Sequence, residues 1–134
     1  MEVTIIDETY NASPISVREA LRNIGDIECT GSKIAILGDM LELGDNAREL
    51  HEDLLHDILR NQIDKVYTIG ELSKSLFYLL PDQIQGKAFD THQGVAAIVK
   101  KEINAGDVIL VKASNGIGLS AVVEDLTLVV ENAV

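Results

Sequence analysis

The sequence predicts an α/β fold, a mostly parallel sheet with helices on both faces. Two observations carry the prediction. Short β-branched runs recur along the 134 residues, and an amphipathic helical pattern follows most of them. The runs are VTIID at 3–7, KIAILG at 33–38, KVYTIG at 65–70, KAFD at 87–90 and VILVKA at 108–113. Between the first two, Val17, Ala20, Leu21 and Ile24 fall at i, i+3, i+4 and i+7, a single apolar stripe. Ser13 before Pro14 suits an N-cap and a first helical position. A helix over 46–62 is expected to bury Ala47, Leu50, Leu54 and Ile58. Leu72, Leu76 and Leu79 mark another before Pro81, and Val95, Ile98, Val99 and Ile103 one after Thr91. Leu119, Val122, Val123, Leu126, Val129 and Val130 give the last helix its stripe. No internal repeat or linker divides the chain, so residues 1–134 read as a single domain.

Composition narrows the partners. Hydrophobic residues make up 46% of the chain, enough for a core. Twenty-two acidic residues against 11 basic ones give a net charge of −11, with no basic run to neutralise successive phosphates, so nucleic acid and anionic membrane are poor partners. Cys29 is alone and no Cys/His pair has zinc spacing, which fits a reducing cytoplasm and gives no expectation of a metal site. No basic leader followed by an apolar stretch opens the chain, and no apolar run approaches the roughly 18 residues of a membrane span.

In open parallel sheets ligands gather at the carboxyl ends of the strands, and three strand exits carry unusual chemistry. DETYNASP at 7–14 offers Asp7, Glu8, Thr9, Tyr10, Asn11 and Ser13 in a row, and a carboxylate at a strand end can accept from both ribose hydroxyls. The same residues also suit a solvated acidic turn with Ser13 as a cap. GDMLELG at 38–44 places Asp39 and Glu42 among Met40, Leu41 and Leu43, which are expected to tuck under the domain or against a neighbour; a packed connector is the plainer alternative. KASNGIG at 112–118 sets Lys112 and Ser114 before a helix start, where backbone N–H groups can hold an anion; a plain helix N-terminus with a surface lysine is the alternative. Gly116, Gly118 and Ala121 also have GxGxxA spacing, but the chain ends before the acid that a dinucleotide fingerprint requires. Of the histidines, His51 shares an apolar stripe and is expected to be structural, His56 falls on the opposite face, His92 stands at a helix start, and none pairs with Cys29 as a nucleophile–base couple.

Taken together, YNASP, then ILGDMLELG with a histidine a few residues later, then VYTIG and GDVILVKAS before a final helix, resemble the C-terminal domain of the Mur ligases, in the branch that adds D-Ala-D-Ala. The resemblance runs from about Ile5 to Leu126. It implies a Rossmann-like domain that closes over ATP and substrate held by two further domains, an N-terminal one for the UDP-sugar and a central one with a P-loop. The reaction implied joins UDP-N-acetylmuramoyl-tripeptide to D-Ala-D-Ala through an acyl phosphate, with ATP and Mg²⁺ in the full-length enzyme and neither held tightly by this chain. By that resemblance Asp7, Glu8, Tyr10 and Asn11 would face ATP, while Ser13, Asp39, Lys112, Ser114 and Asn115 would face substrate. No catalytic residue is implied here. Glu8 stands where the family pattern has a second aspartate, and Asn115 where it has arginine. Two other readings of the residues stay open: a stand-alone nucleotide-binding module, and an interaction domain using the Met40-Leu41-Leu43 loop.

Overall fold

The computed structural model describes residues 2–114 and 118–132, with side chains as far as Leu128. Five strands, β1 (Thr4–Glu8), β2 (Lys33–Gly38), β3 (Lys65–Ile69), β4 (Gln85–Phe89) and β5 (Val108–Lys112), form one sheet in the order β1-β5-β2-β3-β4. Every pairing in it is parallel. The helices α1 (Pro14–Asp26), α2 (Ala47–Glu52), α3 (Leu54–Arg60), α4 (Glu71–Leu79), α5 (Val95–Val99) and α6 (Leu119–Asn132) fill the connections and follow the last strand.

Side-chain alternation along the strands divides the core into two layers. Ala35, Leu37, Val66, Val108 and Leu110 point to one face, where Val17, Leu21 and Ile24 of α1, Leu54 and Ile58 of α3 and Leu76 and Phe77 of α4 cover them. Ile34, Ile36, Tyr67, Ile69, Ile109 and Val111 point to the other, beneath Val95, Ala96 and Val99 of α5 and Leu119, Val122 and Leu126 of α6. Burial on both faces is why β2 and β5 read as unbroken apolar runs.

The strand order has a functional consequence. From β1 the chain crosses to β2, steps outward to β3 and β4, then returns to insert β5 between β1 and β2. The exits of β1 and β2 lead to helices on one face and the exit of β5 to a helix on the other. The carboxyl end of β5 is therefore the topological switch point, where a crevice opens in sheets of this kind.

Three expected helices differ in detail. The helix over 46–62 is a short 3₁₀ turn (Gly44–Asn46) followed by α2 and α3, because at Asp53 the bonding tightens: His56 N–H donates to the Asp53 carbonyl three residues back. α4 buries Ser73, Leu76 and Phe77, so Leu76 lies in the core as expected, while Leu72 is half-buried and Leu79 exposed. α5 is a single turn and a half; Ile103 is buried beyond its end.

Candidate functional site

Ser13 caps α1. Its hydroxyl oxygen accepts from Ser16 N–H at 3.2 Å while Ser16 Oγ accepts from Ser13 N–H at 2.9 Å, a reciprocal box that satisfies two otherwise orphaned donors. The fixed start of α1 sets the path of the preceding exit. There Asp7 Oδ1 accepts from both Thr9 N–H (3.1 Å) and Thr9 Oγ1 (2.8 Å), folding the acidic turn onto itself. Asn11 is exposed, and Tyr10 stands 83% exposed beyond the strand end.

Glu8 and Lys112 end neighbouring parallel strands at the same register position, so their side chains share a face. Lys112 Nζ lies 3.5 Å from Glu8 Oε1, with the lysine only 5% exposed and the Glu8 side chain partly open to solvent. A buried ammonium is costly without a partner, and Glu8 is the partner. Two residues on, Ser114 Oγ accepts from Leu41 N–H at 3.0 Å and reaches the Ala12 carbonyl at 3.5 Å. One hydroxyl thus joins the exits of β1, β2 and β5. Asn115 and Gly116 lie outside the described residues.

The exit of β2 is held by side chains rather than by its own turn. Asp39 is buried, and its carboxylate accepts from the first N–H groups of α4, Ser73 at 2.7 Å and Leu72 at 3.2 Å. An anion there complements the helix N-terminus. Gly70 makes this possible: its φ is +116°, and a Cβ on it would meet the Asp39 carboxylate at 2.4 Å. The next residue, Met40, donates its N–H to His51 Nε2 at 2.8 Å, so His51 Nδ1 carries the proton and donates to the Ala47 carbonyl at 2.6 Å. His51 is fully buried and structural, as its place on the stripe implied. The apolar loop divides: Met40 is in the core, Leu43 packs partly against it, and Leu41 is exposed. At the outer exits Lys74 bridges Glu71 and Asp90, at 3.3 and 2.7 Å, and these two carboxylates hold its ammonium above the usual lysine pKa.

The structure therefore brings Glu8, Lys112 and Ser114 together at the switch point, with Asp7, Tyr10 and Asn11 on the adjoining turn. Ser13 and Asp39 hold the frame through helix caps. Residue patterns missed the Leu41 N–H and the Glu8–Lys112 pairing. The last had one signal, that both residues close a strand, but only strand order makes them neighbours. Among the described residues no three His, Cys, Asp or Glu side chains come together as a metal site, and no helix is long and apolar enough to cross a membrane.

Comparison with known proteins gives the family of the chain. The family described as Mur ligase, glutamate ligase domain, matches residues 1–115. UDP-N-acetylmuramoyl-tripeptide–D-alanyl-D-alanine ligase of Bacillus subtilis is 35% identical over 129 residues, which are 92% of this chain and 28% of that protein. The enzyme of the same name from Rickettsia prowazekii is 35% identical over 120 residues, 90% of this chain and 26% of its own length. In crystals, the MurF ligase of Thermotoga maritima in complex with ADP superposes with a TM-score of 0.82 at 28% identity, over 98% of this chain and 30% of that one. The chain spans little more than a quarter of the curated relatives it matches, and it belongs to the Mur ligase family as a C-terminal, glutamate ligase domain.

Proposed function

We propose that this chain is the closing domain of an ATP-dependent amide ligase that adds D-Ala-D-Ala to UDP-N-acetylmuramoyl-tripeptide in peptidoglycan synthesis, working in the cytoplasm with two further domains of the same enzyme. The observation that carries the reading is the set Glu8, Lys112 and Ser114 at the switch point of a sheet whose relatives are D-Ala-D-Ala ligases.

In that reaction the tripeptide carboxylate takes the γ-phosphoryl group of ATP, giving an acyl phosphate and ADP. The dipeptide amine then attacks the carbonyl carbon, the C–O bond to phosphate breaks with its electron pair, phosphate leaves, and the amine gives up a proton. This domain's part is to bind, orient and exclude water. Glu8, held by Lys112, offers a carboxylate oxygen to the ribose hydroxyls; Asp7 shapes the turn, and Tyr10 and Asn11 frame the nucleotide. Lys112 and Ser114 face the dipeptide carboxylate. Ser13 and Asp39 act through the backbone they hold. Exposed Tyr10 and Leu41 rim the same end of the sheet and suit a surface that meets the remaining domains. Mg²⁺ would arrive with ATP, its ligands supplied by those domains, and the chain alone would hold neither tightly.

The pair links the two substrates. In the intact ligase Lys112→Ala should raise the KM for both ATP and dipeptide, because it frees Glu8 and removes the cation; each charge-assisted contact corresponds to roughly tenfold or more. Unchanged kinetics toward both substrates would overturn the assignment and leave Lys112 a structural residue.

A further inference from the structure

Away from the strand exits, the outer flanks of α1 and α3 enclose a groove of about 330 Å³ lined by Ile15, Arg18, Arg22, Asp57, Arg60 and Asn61, with Glu19 at its side. The spacing builds it: Ile15, Arg18 and Arg22 fall at i, i+3 and i+7 on one flank of α1, and Asp57, Arg60 and Asn61 at i, i+3 and i+4 along α3. Gly25 lets the far end close, since a Cβ there would stand 2.9 Å from Asn61 Cβ. Arg22 lies about 10 Å along the α1 axis from Ile15, so the groove runs away from the switch point.

Its charge is out of keeping with the chain. The protein carries a net charge of −11 and four arginines, and three of the four line this groove, whereas none of its seven lysines does. Arg18 Nε lies 3.4 Å from Asp57 Oδ2, which fixes one guanidinium. Among the described residues Arg22 and Arg60 form no ion pair and no side-chain hydrogen bond, although acids abound elsewhere on the surface. A face that served only solubility on so acidic a chain would have no need to gather the arginines. Guanidinium forks match the paired oxygens of a tetrahedral oxyanion, whereas lysine serves as a point charge. The volume is at the lower end of the roughly 300–1,000 Å³ of small-molecule pockets, and exposed Ile15 adds an apolar wall.

We propose that the α1–α3 groove binds a small molecule carrying a phosphoryl group, through Arg22 and Arg60 with Arg18 held alongside. The site is separate from the ATP-facing exits and does not depend on the ligase reading. Titrating the ¹⁵N-labelled 134-residue chain with inorganic pyrophosphate at constant ionic strength tests it. The expected result is saturable amide shifts confined to residues 15–23 and 57–61. The double variant Arg22→Gln/Arg60→Gln, checked for native spectral dispersion, should weaken binding at least about tenfold, as should replacing pyrophosphate by citrate. The proposal is overturned by no saturation at about 50 mM pyrophosphate, a concentration at which even weak millimolar binding shows. It is equally overturned by shifts centred on residues 7–13 or 112–114, by a double variant that binds like the parent, or by citrate binding as well as pyrophosphate.

Discussion

Glu8 and Lys112 close two parallel strands at one register position and meet as an ion pair, 3.5 Å from Nζ to Oε1, with the lysine almost wholly enclosed. Removing the acid alone leaves a buried cation with no opposite charge. Glu8→Gln should therefore lower stability by about 1–3 kcal/mol, read as a shift in the urea midpoint at unchanged slope. Glu8→Gln/Lys112→Met should recover most of that loss, because a packed apolar chain has no charge to desolvate. A double variant less stable than Glu8→Gln would mean that Lys112 is stabilised by something other than Glu8.

Asp39 links β2 to α4 as a cap supplied from outside the helix, with both oxygens engaged. Asp39→Ala should cost about 1–2 kcal/mol, the usual loss for a cap. Gly70→Ala should cost more, since it brings a Cβ into the Asp39 carboxylate on a backbone with φ of +116°. Thermal unfolding of the two variants orders them, and Gly70→Ala equal to or milder than Asp39→Ala would contradict this geometry.

Much of the fold follows from periodicity, and the exceptions share a cause. β2 occupies the KIAILG run because alternate residues must be apolar on both faces of a doubly covered strand. In α4, however, periodicity selects Leu72, Leu76 and Leu79, of which Leu76 is buried, whereas polar Ser73 turns inward in place of Leu72. Its N–H goes to Asp39 and its hydroxyl to the Ile69 carbonyl, so burying it leaves no polar group unsatisfied. Hydrophobicity alone cannot register that compensation, which depends on a residue 34 positions away. The candidate site divides in the same way. Single exits such as DETYNASP are visible as clusters of polar residues, but the insertion of β5 between β1 and β2 is a property of strand order, and that insertion makes Glu8, Lys112, Ser114 and Leu41 neighbours.

His51 holds the β2 exit from below by accepting the Met40 N–H while donating to Ala47. His51→Ala should leave a buried N–H unpaired and cost about 1–3 kcal/mol. It should also raise the exchange rate of the Met40 amide above that of Ile36, which stays in the sheet. Met40 exchange unchanged relative to Ile36 would show that the loop is held without the histidine.

The last expectation concerns alkaline stability. Tyr67 is enclosed beneath α5, and its hydroxyl has no hydrogen-bond partner among the described residues. Burial, with a smaller contribution from the Glu102 carboxylate, pushes its pKa from 10.0 up to about 12. The folded protein therefore keeps the proton over an interval in which the unfolded chain has lost it. Stability from this source is complete below pH 10, declines as pH rises from 10 toward 12, and is gone above the folded value. Two pH units correspond to at most about 3 kcal/mol. Tyr67→Phe deletes the hydroxyl without changing the ring that packs at 6.5 Å centroid distance against Phe89. At neutral pH it should be as stable as the parent or slightly more so, because an unpaired buried hydroxyl is unfavourable. Between pH 10 and 12 it should lose less stability than the parent. Urea unfolding of both proteins at pH 7, 10 and 11.5 gives the comparison, in which the ionisation of lysines and other tyrosines cancels. Parallel declines of the two proteins above pH 10 would show that the Tyr67 hydroxyl is not held protonated by the fold.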